Sequence, residues 1–246
     1  RELAAETGTS PASVSRFART LDYRTDSDMR LALGISISRA SGEEKATGGK
    51  VTLDDIEGSI KYALSHKVKE LAETTSLIDP DDFAAVVNLL HNANLVLVAG
   101  VGNTISMGAN AAFKLSQVGV RAFCPSTTEA MASVATNLTE NDVLLVISTS
   151  GYSKRLVNLF DSAEDSNTPI VMITDSPDTP LAKRATHIIR AVSRDRAIVG
   201  SEIYFSHNSI NFIIELLFLF LVSCWDDPVE LNRIICKNLM GDRQYS

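Results

Sequence analysis

The chain has 246 residues, 45% of them hydrophobic, and a formal net charge of −7. This composition predicts a globular protein with one large domain and a small appendage, and it excludes a disordered chain. The acidic balance argues against general electrostatic attraction to nucleic acid. The first 39 residues, however, contain six Arg and five Asp or Glu, a net charge of +1, so the remainder of the chain has a net charge of −8. This distribution is typical of a DNA-binding head on an acidic body.

The N-terminal segment predicts a helix-turn-helix. Gly8 marks the turn, and Ser10–Pro11 starts a second helix whose apolar face is formed by Val14, Phe17, Ala18 and Leu21. The opposite face carries serine hydroxyls and two arginine guanidinium groups, which can bind phosphates and the edges of guanine bases in a DNA major groove. The candidate DNA-binding residues are Ser13, Ser15, Arg16 and Arg19. The alternative is an ordinary amphipathic hairpin with solvated arginines.

A polar, Gly-rich stretch, SGEEKATGGK at 41–50, predicts a linker. We therefore divide the chain into a head at 1–40, a linker at 41–52 and a large domain at 53–246. The large domain begins with apolar residues at helical spacing from Ile56 to Leu71, and Asp79–Pro80 starts a further helix.

After Asn94 the pattern alternates between short apolar runs and helical stretches. Such alternation predicts an α/β fold with parallel strands, in which ligands bind beyond the carboxyl ends of the strands. Strands are predicted at 95–99, 120–123, 143–147, 170–173 and 187–190, with helices at about 104–117, 128–137, 153–165 and 179–185. Two long helical segments, at about 200–223 and 228–240, follow.

The apolar run at 210–225 is too short to span a membrane and is interrupted by Glu215, so we interpret it as a helix of a core or a subunit interface. The three cysteines have no metal-binding spacing and predict reduced, buried thiols in a cytoplasmic protein. The four histidines are dispersed, so no metal site is predicted. No signal peptide is visible, but Arg1 is not a native start, which leaves targeting open.

The most informative features are two loops that each join a strand to a helix. The first, Gly100-Val101-Gly102-Asn103-Thr104, is half of a dinucleotide fingerprint, because Ile105 stands where the third glycine belongs. Binding of a nicotinamide dinucleotide is therefore disfavoured, and no cofactor is predicted. The alternative for this loop is a tight turn with Asn103 and Thr104 as helix caps.

The second loop, Ser148-Thr149-Ser150-Gly151-Tyr152-Ser153, places Ser148, Thr149, Ser150 and Ser153 within six positions. Hydroxyls and backbone N–H groups beside a positive helix N-terminus suit an anion. The alternative is a solvated turn with Ser153 as the helix N-cap. Neither loop supplies a lysine, a thiol or an acid–base pair, so both indicate a site that holds a phosphate without cleaving it, and no catalytic residue is predicted.

The two loops together resemble the SIS (sugar isomerase) domain, whose pattern is G-x-G-x-S after the first strand and S-x-S-G-x-[ST] after the third. The resemblance covers about 80–225 and implies a five-stranded parallel sheet flanked by helices. It also implies a phosphosugar site with Glu202 near the ligand, although Glu202 equally suits the first turn of a helix. The implied binding residues are Gly102, Asn103, Thr104, Ser148, Thr149, Ser150, Ser153 and Glu202.

The head followed by this domain resembles the RpiR-type bacterial transcriptional regulators. The resemblance implies a cytoplasmic protein that binds operator DNA, senses a phosphorylated sugar or sugar acid, and forms a dimer or tetramer without a membrane partner. Because the family head begins several dozen residues earlier, we expect this chain to start inside the DNA-binding domain. The alternatives are a ketose–aldose phosphate isomerase, which would need a base such as Glu202 or His207, and an interaction module with an empty pocket.

Overall fold

The computed structural model describes residues 9–20, 29, 51–195, 198 and 206–225. The chain divides into two compact units, Arg1–Val68 and Lys69–Ser246. The domain boundaries expected from the sequence stay predictions. The first helix of the expected helix-turn-helix, most of the expected linker, and the expected helix at 228–240 lie outside the described residues.

In the first unit, helix α1 (Pro11–Thr20) begins where the sequence predicts. The hydroxyl of Ser10 accepts a hydrogen bond from the N–H of Ser13 at 3.2 Å, which satisfies one of the donors at the start of the helix. Val14 and Ala18 form a buried cluster with Met29, as expected for residues one turn apart. Phe17, expected on the same face, is 58% exposed, so that part of the prediction was wrong.

Helix α2 (Ile56–Ser76) contains the boundary between the units. Its start is stabilised by Asp55, whose carboxylate accepts a hydrogen bond from the N–H of Gly58 at 2.9 Å. Helix α3 (Pro80–Asn92) follows. Asp79 caps it by accepting hydrogen bonds from the N–H groups of Asp81 and Asp82, and Pro80 occupies the first turn, where a missing N–H costs nothing.

The second unit contains a sheet of five parallel strands in the order β2-β1-β3-β4-β5, which confirms the predicted fold class. The strands are β1 (Val96–Gly100), β2 (Ala122–Phe123), β3 (Val143–Ile147), β4 (Ile170–Thr174) and β5 (His187–Arg190). The helices between and after them are α4 (Thr104–Gln117), α5 (Thr128–Ala135), α6 (Lys154–Asp165) and α7 (Asn208–Ser223).

Every residue of β1, β3 and β4 is buried, because helices cover both faces of the sheet. One face packs against α3, α4 and α7, and the other packs against α5 and α6. Two predicted elements are shorter than expected. The second strand keeps only two residues at the edge of the sheet, and the stretch 179–185 forms a single 3₁₀ turn, Ala182–Arg184, below the length at which an α-helix is stable.

Helix α7 packs one face into the core through Ile213, Leu217 and Leu221, as the apolar run predicts. Leu219 and Phe220 lie on the other side and are exposed. None of the helices within the described ranges is long and apolar enough to cross a lipid bilayer.

Candidate functional site

The two loops predicted to bind an anion lie side by side at the carboxyl edge of the sheet. Strands β1 and β3 are paired, with Gly100 opposite Ile147, so each loop leaves the sheet beside the other. Strand β2 lies on the far side of β1, so the chain changes direction across the sheet between β1 and β3. Parallel α/β sheets bind their ligands in the crevice at such a switch point. The N-termini of α4 and α6 follow these loops directly.

The first loop is closed by its own hydrogen bonds. The hydroxyl of Thr104 accepts a bond from the N–H of Val101 at 3.0 Å and donates one to the carbonyl of Val101 at 3.1 Å. Thr104 is buried. A side chain at Gly100 would place its Cβ 2.9 Å from the Thr104 hydroxyl oxygen, so this turn requires glycine. Thr104 therefore shapes the loop, and its hydroxyl is already paired.

The second loop is held by the neighbouring segment. The carbonyl of Thr149 accepts a bond from the N–H of Asp175 at 3.2 Å, and the carbonyl of Gly151 accepts one from the Thr179 hydroxyl at 2.6 Å. Gly151 has a φ of +67°, and a Cβ there would lie 2.3 Å from a carbonyl oxygen, that of Ser176. The side chains of Ser148 and Thr149 are buried, so this half of the loop is also structural.

Ser150 and Ser153 are the accessible hydroxyls of the second loop. Ser150 is exposed, and its hydroxyl donates to the carbonyl of Tyr152 at 3.1 Å. Ser153 is half-buried and caps α6, because its hydroxyl accepts a bond from the N–H of Arg155 at 3.3 Å. A hydroxyl that accepts in this way keeps its own proton, which can be donated to an anion. Capping and anion binding are therefore compatible at Ser153.

The first turn of α6 differs in charge from those of the other described helices. Helices α2, α3 and α5 each carry an acidic residue in the first turn, which complements the positive end of the helix dipole. Helices α4 and α6, which begin at the two loops, carry none, and neither do α1 and α7. Helix α6 instead begins with two exposed cations, Lys154 and Arg155. The sequence analysis ended at Ser153 and missed this pair. Cations in a first turn are disfavoured by the helix dipole, so their presence indicates a site for an anion.

A third segment approaches the second loop from the ends of β5 and α7. Thr149 lines a cavity of about 10 Å³, room for roughly one water molecule, together with Glu70, Ser193 and His207. Glu70 is buried and accepts a bond from the N–H of Arg194 at 2.7 Å. Sequence reasoning also missed Glu70, because its position on α2 gives no local signal of a contact with a residue 124 positions away.

Burial lowers the pKa of the His207 imidazole below its usual value, and the nearby Asp195 carboxylate opposes that shift. The imidazole is therefore neutral at pH 7, which is the form that accepts a proton. Glu202, the remaining candidate near the ligand, lies outside the described residues.

The candidate DNA-binding residues lie on α1 in the other unit. Arg16 and Arg19 are exposed, whereas Ser13 and Ser15 are half-buried, and the Ser13 hydroxyl lies 3.0 Å from that of Ser10. Arg19 stands in the last turn of α1, where the helix dipole favours a cation.

Other regions offer less suitable chemistry for an anion. A cavity of about 500 Å³ lies between α3 and α7, but its lining is mostly apolar and includes Phe83, Leu216 and Phe220. Across the described ranges, no group of three or more His, Cys, Asp and Glu residues is placed to hold a metal ion.

Comparisons with known proteins agree with this architecture. Residues 89–219 match the SIS domain family. The structure of the Vibrio vulnificus NanR protein complexed with ManNAc-6P is similar over 98% of this chain and 83% of that chain, with 23% identity and a TM-score of 0.65.

Two further structures are similar over more than two thirds of this chain. The sugar isomerase domain of an RpiR transcription factor from Sphaerobacter thermophilus has 20% identity and a TM-score of 0.63, over 71% of this chain and 94% of that chain. A phosphoheptose isomerase from Francisella tularensis has 21% identity and a TM-score of 0.51, over 76% of this chain and 99% of that chain. At these identities the likeness establishes the fold, which is found here in a transcription factor and in an isomerase.

Proposed function

The chain belongs to the SIS domain family, and on that premise we propose that it is a transcriptional regulator that senses a phosphorylated sugar or sugar acid. One observation carries the proposal: the two helices that begin at the switch point, α4 and α6, lack first-turn acids, and α6 begins with Lys154 and Arg155. A bound phosphate supplies the negative charge that these helix ends lack.

In this proposal the phosphate lies between the two loops. Ser153 donates its hydroxyl proton to it, Ser150 donates its own after releasing the carbonyl of Tyr152, and the N–H groups of the first turns of α4 and α6 donate as well. Hydrogen bonds to a charged group contribute about 1.5–3 kcal/mol each, so a few of them suffice for micromolar affinity. Lys154 and Arg155 add attraction, reduced by their exposure to solvent.

The other predicted residues have supporting roles in the proposal. Gly102, Thr104, Ser148 and Thr149 set the shape of the loops. Asn103 and Glu202 contact the sugar rather than the phosphate, and so contribute to the choice of sugar.

Regulation follows by linkage between the effector and DNA. We place the DNA-binding function on α1, with Arg16 and Arg19 as the principal contacts and Ser13 and Ser15 beside them. The protein acts as a homo-oligomer, and the effector binds one arrangement of its subunits more tightly, which changes the affinity for operator DNA.

A phosphosugar isomerase on the same fold is the second candidate. It is favoured by the neutral imidazole of His207 and the buried carboxyl group of Glu70, which line one cavity beside Thr149. An isomerase needs a base and a ring-opening group near the sugar, and these two groups lie next to the proposed site.

A melting-temperature screen against hexose, pentose and N-acetylhexosamine phosphates tests effector binding. We expect at least one compound to raise the melting temperature of the wild-type chain, because ligands that bind the folded state stabilise it. Ser150→Asp places a carboxylate at the proposed phosphate site and should abolish the rise. Ser133→Asp, on an exposed position of α5, is the matched control and should keep it.

An assay for interconversion of the stabilising phosphosugar with its aldose or ketose isomer separates the two candidates. A regulator binds without turnover. If the wild-type chain turns the phosphosugar over, and Glu202→Gln or His207→Asn loses turnover but retains binding, the isomerase becomes the supported function and the regulator is contradicted. No rise with any phosphosugar would contradict both.

DNA binding is tested by selecting oligonucleotides from a random pool with the chain as it stands. We expect Arg16→Ala and Arg19→Ala to weaken binding to the selected DNA, and Lys183→Ala, which removes an exposed cation of the second unit, to leave it unchanged. The stabilising phosphosugar should change the affinity. Equal affinities for all four proteins would contradict the assignment to α1.

A further inference from the structure

Within the first unit, large aliphatic side chains of helix α2 are exposed and several of its polar side chains are buried, the reverse of the usual arrangement. Four large aliphatic side chains, three on the helix and Leu53 in the turn before it, point to solvent, and we call them the α2 stripe: Leu53 is 88% exposed, Ile56 59%, Ile60 64% and Leu64 62%. The buried side of the same stretch is polar or aromatic and comprises Ser59, Tyr62, Ser65 and His66. Exposed apolar patches of this kind mark sites of association, because each side chain loses stabilisation by facing water.

The spacing of the α2 stripe suits a helix as its partner. Its three members within the helix, Ile56, Ile60 and Leu64, are four residues apart, which places them on one face of the helix. From Ile56 to Leu64 the stripe covers about 12 Å of the helix axis. All four members are Leu or Ile, so the stripe can pack against a second copy of itself.

We propose that the α2 stripe pairs with the same stripe of a second copy, with the two helices antiparallel and a two-fold axis beside Ile60. This arrangement sets Ile60 against Ile60 of the second copy and Ile56 against its Leu64. The proposal rests on the homo-oligomer of the proposed function and names its surface, but it does not depend on which effector binds.

The charges beside the α2 stripe select the antiparallel orientation. Glu57 and Lys61 lie on one flank and form an ion pair at 2.8 Å within the helix. In an antiparallel pair the same flanks face each other, and Glu57 lies about 3 Å along the axis from Lys61 of the second copy. Two reciprocal contacts between opposite charges result, and they outnumber the single like-charge contact between Lys61 and Lys61 of the second copy, which are also about 3 Å apart along the axis. In a parallel pair this flank would instead face Ser59 and Ala63, which carry no charge.

The pairing also gives the homo-oligomer a role for the first unit. Helix α1 and the α2 stripe belong to the same compact unit, so a dimer built on this stripe brings two copies of α1 into one assembly. Proteins that read two DNA half-sites need such a dimer.

Analytical ultracentrifugation over a range of concentrations tests the surface. Ile60→Lys sets two like charges face to face on the axis, and we expect the dissociation constant of the dimer to rise by about 100-fold. Leu219→Lys, which adds the same charge at a similarly exposed leucine of α7, is the matched control and should leave it within about threefold. Far-ultraviolet circular dichroism and the phosphosugar-induced rise in melting temperature should be unchanged in both variants.

Charge exchange tests the orientation. Glu57→Lys alone and Lys61→Glu alone each oppose like charges across the antiparallel pair and should weaken it, whereas the double variant should restore it. Disulfide cross-linking is a second test of the orientation. Cys124, Cys224 and Cys236 are first replaced by Ser, so that only introduced cysteines can react. Ile56→Cys and Leu64→Cys chains should form a disulfide with each other after mixing and should not form one with themselves.

The outcomes separate this inference from the proposed function. A wild-type chain that is monomeric at all concentrations overturns both the α2 pairing and the homo-oligomer. A wild-type dimer that Leu219→Lys dissociates and Ile60→Lys does not overturns the α2 pairing alone. Self-cross-linking of Ile56→Cys overturns the antiparallel orientation. Loss of the phosphosugar effect in the wild-type chain contradicts the effector proposal and leaves the pairing intact.

Discussion

The loops after β1 and β3 occupy equivalent places in the sheet but are stabilised in different ways. The first is closed from within, by the two hydrogen bonds between Thr104 and Val101. The second has internal bonds as well, from the N–H of Gly151 to the carbonyl of Ser148 and from the hydroxyl of Ser150 to the carbonyl of Tyr152, but it is also held from outside, by bonds from Asp175 and Thr179 to its carbonyls. The hydroxyl of Thr104 is buried, whereas Ser150 is exposed and Ser153 half-buried. In the proposed site the first loop therefore provides shape, and the second provides the contacts to an anion.

Substitution of the left-handed glycine in each loop, Gly102 and Gly151, should show the largest difference in stability between the loops. Gly151→Ala combines backbone strain at φ +67° with a Cβ 2.3 Å from a carbonyl oxygen, and we expect a loss of about 3–5 kcal/mol in the free energy of unfolding. Gly102→Ala has the same strain at φ +66° but open space around the Cβ, so the loss should be about 1 kcal/mol. Urea denaturation measures both, and equal losses would contradict external support of the second loop.

Thr104→Val should reveal the internal closure of the first loop. The substitution keeps the shape but removes the hydroxyl, which leaves the N–H of Val101 without its partner, and we expect a loss of about 1–3 kcal/mol in urea denaturation. Thr104→Ser keeps the hydroxyl and is the control, with a loss below about 1 kcal/mol. A valine variant as stable as wild type would show that the two bonds do not hold the loop.

The accessible serines should separate binding from stability. Ser153→Ala removes the N-cap of α6 and should cost about 1 kcal/mol of stability as well as effector affinity. Ser150→Ala should leave stability within about 0.5 kcal/mol, because the side chain is exposed, while weakening effector binding about tenfold. Isothermal titration calorimetry beside urea denaturation measures the two quantities. Unchanged affinity in both variants would remove the second loop from the site.

The smallest expected effect concerns His207 and pH. Its pKa is lowered in the folded chain, so around and below the usual value of 6.5 the unfolded chain binds more protons than the folded chain. Stability should therefore fall as pH drops through 6.5, and His207→Asn should make this fall shallower without changing stability at pH 8. Melting temperatures between pH 5 and pH 8 measure the slope, and an identical slope in the variant would show that the imidazole titrates normally.

The sheet could be predicted from the sequence because its strands are short apolar runs, of which β1, β3 and β4 end at or just before Gly, Ser or Thr. Strands β1, β3, β4 and β5 lie within a residue of their predicted ends. The stretch 179–185 was harder, because its helical spacing is too short to outweigh the cost of forming a first turn.

The faces of helices could not be predicted as well. Ile56, Ile60 and Leu64 predict a helix correctly, but the same spacing fits a core and a surface for association, and the structure exposes all three. Phe17 shows the same ambiguity on α1. Burial depends on what packs against a helix, and periodicity contains no information about the partner.

In the candidate site, the sequence located both loops but not the roles of their residues. Whether the Thr104 hydroxyl faces a ligand or its own backbone depends on dihedral angles that a motif does not specify. Glu70 could not be found at all, because its contact with Arg194 is made across 124 residues.

A crystal structure of the chain with the phosphosugar that raises its melting temperature most tests the central claim directly. We predict the phosphate within hydrogen-bonding distance of the hydroxyls of Ser150 and Ser153 and of the first-turn N–H groups of α4 and α6. A phosphate bound elsewhere, with the loops at 102–104 and 148–153 contacting only solvent, would contradict the account.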